Sequence, residues 1–413
     1  MIPIKSIYLS ISIPIILLNI YWVFLPQKGY CENFDRSWLI AKFTELDLAL
    51  NNGEGFSKDT NEEGKLAWAE SHLLEAYIEM YQATGNFLWL DKFLNHAKRV
   101  LNSNDYARGI KDYKGRSLYG WSAQRPVHPI GWKPGNKIDL TLVNKPRVVF
   151  WVHSGMICYP LIKFSLLAKY DNLPNKYSRE SDKIVSFVEK AMQEFNYKWR
   201  YNDNLQEGYY VFDNEPVYGN PTSGLPENKI TKEYRSSINS DLALGKVFII
   251  LYQVTNNTEY YLKAKALANK FKKQLVVKGN YYIWKYRYAE DQGLSKVYED
   301  ISHGGTDITF AYDAYNADIV FNIDDIKLFS HTYINMYKNG RFSTYVSGEG
   351  DKPDYSLTSA RWLDLSTVNP EVFNIGFNYL TNHIKNINRD HPVALLGISK
   401  LLKYGNNLKQ SAN

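Results

Sequence analysis

The segment Tyr81-Gln82-Ala83-Thr84-Gly85-Asn86 lies between two helical patterns and returns 171 positions later as Tyr252-Gln253-Val254-Thr255-Asn256-Asn257. Ahead of the first copy, apolar residues stand at 66, 67, 73, 74, 77, 78 and 81, the three-and-four spacing of one buried helix face. A second amphipathic run follows over 88–101. Two helices across a short Gly-containing turn form an αα-hairpin. Ala97 on the second helix matches Ala268, so the repeat reaches beyond the turn.

Further helical pairs, without the turn signature, fall at 154–170 with 178–195, 306–322 with 324–337, and 371–387 with 392–404. Hairpins that each bury a face against the next imply an α-solenoid or a closed α/α toroid. The connections choose between them. They are long and irregular, over 102–150, 196–236, 278–305 and 339–370, whereas tetratricopeptide arrays have short uniform loops. Loops beyond about 15 residues are unusual unless functional. Alternating with hairpins, they would emerge together at one end of a toroid. The expected fold is therefore all-α: an (α/α) toroid or incomplete barrel with long loops and minor β-hairpins. It forms a single domain over 38–405, with a linker at 28–37 and a disordered tail at 406–413.

Ahead of the domain, Ile7–Leu25 is nineteen residues without a charge, preceded by Lys5. That length suits a membrane-spanning helix better than a signal-peptide core. Pro26-Gln27-Lys28-Gly29-Tyr30 is a poor site for signal removal. Residues 1–27 read as a signal anchor or a secretory signal, which places the domain outside the cytoplasm with the membrane as a partner. Cys31 and Cys158 are the two cysteines; they offer neither a disulfide framework nor metal-ligand spacing.

Hydrophobic residues make up 45% of the chain and charged ones 22%, enough for a large core and against general disorder. The net charge of +6 comes without a basic run or a zinc spacing, which excludes nucleic acid as the expected partner. It suits an anionic small molecule or an acidic polysaccharide. With 33 Tyr and 10 Trp, many in polar stretches, a ring-lined sugar groove is a natural use of the loops.

The first long loop carries Trp121, Arg125, His128 and Arg147, and leads into His153 and Ser154, where Ser154 reads as a helix N-cap. The second has an alternating stretch at 207–212 that reads as a short strand, and Asn239 at the mouth of the repeated hairpin. The third, 281–310, is the densest: Trp284, Tyr286, Arg287, Tyr288, Tyr298, Glu299, Asp300, His303 and Asp307. His303 and Asp307 are four apart, but no second His lies nearby and no HExxH occurs, so neither a metal nor another cofactor is expected. Serine hydrolysis lacks a GxSxG elbow. Two of Glu70, Glu299, Asp300 and Asp307 could serve glycoside hydrolysis. Ion pairing with Arg287 or helix capping is the structural alternative for the acids of the third loop.

Ala67-Trp68-Ala69-Glu70 with the 81–86 turn, Val152-His153-Ser154-Gly155-Met156, the Asn239 helix, and Trp284-x-Tyr286 followed by Glu299-Asp300-Ile301-Ser302-His303-Gly304 together resemble the α/α-toroid polysaccharide lyases. The similarity is to polysaccharide lyase family 38, which acts on glucuronan and alginate, and it spans most of 38–400. It implies β-elimination at a uronic acid, with a tyrosine transferring the proton and Asn, His and Arg around the substrate carboxylate. On that pattern Tyr298 is base and acid, His303 and His153 are its proton or charge partners, and Asn239 and Arg287 hold the carboxylate. Glu299 and Asp300 orient His303 or Arg287. Trp284, Tyr286, Tyr288, Trp121, Arg125, His128 and Arg147 line the groove. Tyr286 and Tyr288 compete with Tyr298 for the role of base. A toroid glycoside hydrolase, a uronate C5-epimerase and a non-catalytic glycan-binding solenoid are the alternatives.

Overall fold

The computed structural model describes residues 34–124, 147–171, 173–212, 234–291, 297–385 and 392–410. The expected anchor segment lies outside them. Among the described residues no helix is long and apolar enough to cross a membrane.

In chain order the helices begin with α1 (Arg36–Ala49), α2 (Ser71–Thr84, entered through a π turn at Leu66–Glu70) and α3 (Leu88–Asn102). The single turn α4 (Asp105–Arg108) precedes α5 (Trp151–Tyr170) and α6 (Asn175–Gln193). There follow α7 (Ile238–Thr255), α8 (Thr258–Lys272), α9 (Ile301–Asn316) and α10 (Ile323–Met336). A run of 3₁₀ turns, Pro353–Thr367, leads to α11 (Pro370–Ile384) and α12 (Pro392–Gln410).

These segments close a ring. α2 packs on α5, α5 on α7, α7 on α9, α9 on the 3₁₀ run, that run on α12, and α12 back on α2. Each inner segment is backed by an outer helix: α3, α6, α8, α10, α11 and, for α12, α1. The fold is an α/α toroid. Inner helices α5 and α7 are buried on nearly every side, while outer helices α3 and α6 bury one face and expose the other. Where α5 crosses α7, Gly155 lets the backbones touch: a Cβ there would lie 2.5 Å from the Ala243 carbonyl.

The repeated turn has a local cause. Gly85 and Asn256 take the left-handed conformation at the ends of α2 and α7, which Gly and Asn tolerate best. In both copies the threonine hydroxyl donates back to a helix carbonyl (Met80, Leu251) and accepts the N–H two residues on (Asn86, Asn257). The following Asn side chain then accepts from the next helix start.

Small antiparallel ribbons occupy the long connections. β1 (Ser122–Gln124) pairs with β2 (Arg147–Val149), and β3 (Trp199–Asn202) with β4 (Glu207–Phe212), which also takes β5 (Tyr234–Arg235). β6 (Val276–Lys278) pairs with β7 (Tyr281–Ile283), and β8 (Tyr337–Lys338) with β9 (Arg341–Phe342). Each lies between the end of an outer helix and the start of the next inner one. The loops therefore gather at the end of the ring where the inner helices begin.

Two expectations are corrected. The partner of α11 in the ring is the 3₁₀ run inside the expected 339–370 loop, while α12 is itself an inner helix backed by α1. A 3₁₀ segment has no 3.6-residue period to betray it. Ser154 is no cap: α5 starts at Trp151, so Ser154 and His153 belong to its first turn and are buried.

Candidate active site

The start of α9 supplies the best-defined group. Asp300 caps the helix, its Oδ1 accepting from the N–H groups of Ser302 (2.8 Å) and His303 (2.9 Å). Its Oδ2 accepts from His303 Nδ1 at 2.7 Å. That bond fixes the ring and leaves Nε2 free to work. Burial disfavours the imidazolium, yet the Asp300 bond and charge outweigh it and hold His303 above its ordinary value. Burial likewise opposes ionisation of Asp300, but the bond and charge of His303 keep that carboxyl below its ordinary value. The His303 side chain is one-third exposed, so the pair reaches the groove.

Trp68, in the π turn before α2, stands between two imidazoles. Its ring is edge-on to both His153 and His303, with centroids 5.9 Å from each. Its Nε1 donates to His153 Nε2 at 3.2 Å, and Asn61 Nδ2 faces His153 Nδ1 at 3.2 Å. The Asn61 amide is fixed by donating to Trp121 O and accepting from Ala67 N–H. The indole is partly exposed, with the two rings on either side.

The third loop settles its geometry through one strand pairing. Lys285 faces Tyr298 across an antiparallel bridge flanked by bonds from Tyr286 N to Val297 O and from Glu299 N to Trp284 O. Facing residues share a side and neighbours alternate. Tyr298 therefore points with Lys285, whose Nζ lies 3.2 Å from its ring centroid. Trp284, Tyr286 and Glu299 point to the opposite side. Tyr286 is partly exposed, edge-on to His303 at 5.9 Å, and bonded to Ser237. Burial, above all, raises its phenol; the Ser237 bond and Arg287 pull the other way. Of the three competing tyrosines, Tyr286 is the one beside His303. Tyr298, assigned as the base from the sequence, lies on the other face of the ribbon.

Behind Tyr286 is a buried carboxyl pair. Glu299 Oε2 accepts from Asn239 Nδ2 at 3.1 Å, and its Oε1 accepts from Asp300 N–H at 3.1 Å. Asp307 Oδ2 accepts from Trp284 Nε1 at 2.8 Å, while its Oδ1 meets no conventional donor. The two carboxyls touch each other. Fully buried and in contact, the two carboxyls disfavour being ionised together. Burial first, and then each other's charge for Glu299, push both well above the ordinary carboxylate range. The pair fixes the Asn239 amide, whose Oδ1 accepts from Ser237 and Ser240.

Other expected groove residues lie elsewhere. Trp121, Trp284 and Tyr288 are core side chains: Trp121 donates to Val100 O at 2.9 Å and Tyr288 to Asp241 at 2.8 Å. None of the three lines a surface. Arg287 is buried behind Tyr286, its guanidinium 5.6 Å from that ring. Arg147 is ion-paired with Glu62. Arg125 and His128 lie outside the described residues. Glu70 faces His96 and the Phe56 N–H, both at 2.7 Å, away from the third loop.

Sequence reading missed four contributors. Trp68, Asn61 and Ser237 support the rings and the amide, and Arg361 braces the first turn of α9 by donating to Ser302 O (2.6 Å) and Thr306 Oγ1 (2.7 Å). Only Trp68 carried a signal, an aromatic ring in the Ala67–Glu70 motif. Among the described residues, Glu299, Asp300 and His303 are the one group close enough to hold a metal ion. His303 Nδ1 and the carboxylate oxygens of Asp300 and Glu299 are already engaged in hydrogen bonds within the site, and no metal role is assigned.

No protein-family model matches the chain, and no curated protein is significantly similar to it. Solved structures do match over nearly its whole length. A family GH76 α-mannanase from Bacteroides thetaiotaomicron has a TM-score of 0.55 at 13% identity, covering 92% of this chain and 98% of that one. Cellobiose 2-epimerase from Spirochaeta thermophila gives 0.52 at 12%, covering 90% and 97%. An inactive α-1,6-mannanase of Salegentibacter sp. in complex with α-1,6-mannotetrose gives 0.50 at 13%, covering 91% and 99%. These likenesses establish the α/α toroid. They give no support to the lyase family in particular.

Proposed function

We propose that this protein is a sugar-processing enzyme that moves a proton at the C5 carbon of a uronic acid within an anionic glycan. One observation carries the reading. Among the described residues, His303, held by Asp300, and Tyr286 are partly exposed acid/base groups where the inner helices begin, whereas Glu70, Glu299 and Asp307 are each buried against a partner. Among the described residues, Asp300 is the one acid of the four hydrolysis candidates that is not fully buried, so those four offer no pair of free carboxyls facing each other, which is what hydrolysis needs.

The chemistry follows from these groups. The starts of α5, α7 and α9 present positive dipole ends, so a substrate carboxylate is favoured there. Neutralising that carboxylate lets the C5–H bond break with its electron pair entering an enolate-like system. His303 Nε2 takes the proton. The Tyr286 phenol, protonated because burial raises it, gives one back. Delivered to the C4 oxygen, that proton completes elimination as the C4–O bond breaks and C4=C5 forms. Delivered to the other face of C5, it completes epimerisation. Elimination is the reading the sequence resemblance favours. The toroids of known structure include a hydrolase and an epimerase, which makes the distinction experimental. Export through residues 1–27 would bring the domain to such a polymer.

The test is incubation with glucuronan, alginate and glycosaminoglycans in D₂O, with products read by ultraviolet absorbance and mass. Unsaturated ends support elimination, and C5 deuterium without cleavage supports epimerisation. Products carrying an added water and no exchange, or no change with any polyuronate, would overturn the proposal.

A further inference from the structure

Outside the groove, the loop that follows α4 builds an exposed ridge of tyrosines and cations. Tyr106, 56% exposed, stacks on Tyr119 with centroids 4.4 Å apart and planes at 17°. Lys190 Nζ lies 5.2 Å from the Tyr119 ring. Further along, Tyr197, 39% exposed, has the Arg116 guanidinium at 5.4 Å and Lys114 Nζ at 5.6 Å from its ring. Arg108 at the end of α4 and Lys111 on the loop are also exposed. Its one internal acid, Asp112, is buried and consumed by the Arg116 guanidinium and two backbone N–H groups. The loop is therefore held in shape by its anion and shows solvent its rings and its positive charge.

The loop that carries the ridge is linked by contacts to the His153 surroundings. Tyr113 N–H donates to Arg147 O at 3.0 Å, and Arg147 pairs with Glu62. Glu62 is the neighbour of Asn61, which contacts His153.

We propose that the ridge is a second glycan-binding site, which holds an extended stretch of anionic polysaccharide outside the groove. The assignment rests on the sugar-processing reading above. An exposed tyrosine face stacks on the C–H face of a pyranose ring, and the cations beside Tyr119 and Tyr197 meet the carboxylates that a polyuronate carries at every unit. A neutral glycan would use the rings alone, and a protein or nucleic-acid partner would have no need of the alternation. The attraction is screened by salt, since the cations are exposed.

The experiment is native affinity electrophoresis through gels containing glucuronan, alginate or a neutral β-glucan. The parent protein is compared with a combined Tyr106→Ala, Lys114→Ala, Tyr197→Ala variant and with His303→Ala. The parent is expected to be retarded by the polyuronates and not by the neutral glucan. The combined variant should bind them about ten-fold more weakly or worse, with its thermal melt unchanged, while His303→Ala keeps most of the retardation. If the combined variant misfolds, Arg108→Glu with Lys114→Glu replaces it, because both side chains are solvent-exposed. Undiminished retardation of the ridge variants, equal retardation by the neutral glucan, or none of the parent would overturn the proposal. A parent retarded through the ridge that forms no product from any polyuronate would leave the site standing and remove the catalytic reading.

Discussion

Asp300 accepts a 2.7 Å bond from His303 Nδ1 with the same carboxylate that caps α9. The catalytic candidate and the start of its helix thus depend on one side chain. Because His303 is raised, its charge adds stability that is complete below about pH 6.5 and is lost as pH rises through the raised value. Because Asp300 is lowered, its share is present above about pH 3.9 and is lost as pH falls through the lowered value. Asp300→Asn keeps a capping oxygen and removes the charge. The His303 ring titration, followed by NMR, should then drop to or below its ordinary value, while stability changes by only about 1 kcal/mol. An unmoved midpoint would show that Asp300 does not set the ring.

The ribbon that separates Tyr286 from Tyr298 makes a second expectation. Tyr286→Phe should lower turnover of a polyuronate about 100-fold or more, the usual scale for a lost proton-transfer group. Tyr298→Phe should stay within a few-fold of the parent, because its ring lies under Lys285 on the far face. The reverse order of effects would return the role to Tyr298.

Glu299 and Asp307 titrate well above the usual carboxylate range, so the folded protein holds a proton that the unfolded chain releases. Their contribution makes stability fall as pH rises from the ordinary carboxylate range through the raised values. Buried Lys246, lowered by burial to about 7, contributes a slope of the opposite sign up to its ordinary value. The pair must therefore be isolated by difference. Asp307→Asn, which can still donate to Glu299 but cannot ionise, should flatten the decline relative to the parent in melts taken from pH 5 to 9. Parallel curves for the two proteins would refute a proton held by the pair.

Gly155→Ala probes the closest helix contact in the ring. Its Cβ would meet the Ala243 carbonyl carbon and oxygen at 2.5 Å, and backbone cannot step aside as a side chain can. A loss of about 2 kcal/mol or more is expected in chemical denaturation. A neutral result would mean that α5 and α7 are less tightly apposed than described.

What the sequence determined by itself is whatever depends on neighbours in the chain. The 81–86 and 252–257 turns were legible because a left-handed cap, a threonine back-bond and an asparagine cap are local devices. The 88–101 run showed the one buried face of outer helix α3, and the 207–212 strand showed its alternation. The long-range pairings decided the rest. A 3₁₀ run without helical period became an inner segment only because the ring had to close between α9 and α12. Aromatic identity does not report depth, so Trp121, Trp284 and Tyr288 entered the core while Trp68 reached the groove. Which of three tyrosines stands beside His303 depends on the register of residues 284–286 against 297–299. In a pleated ribbon a shift of one residue sends every side chain to the other face, and no composition or spacing encodes that choice.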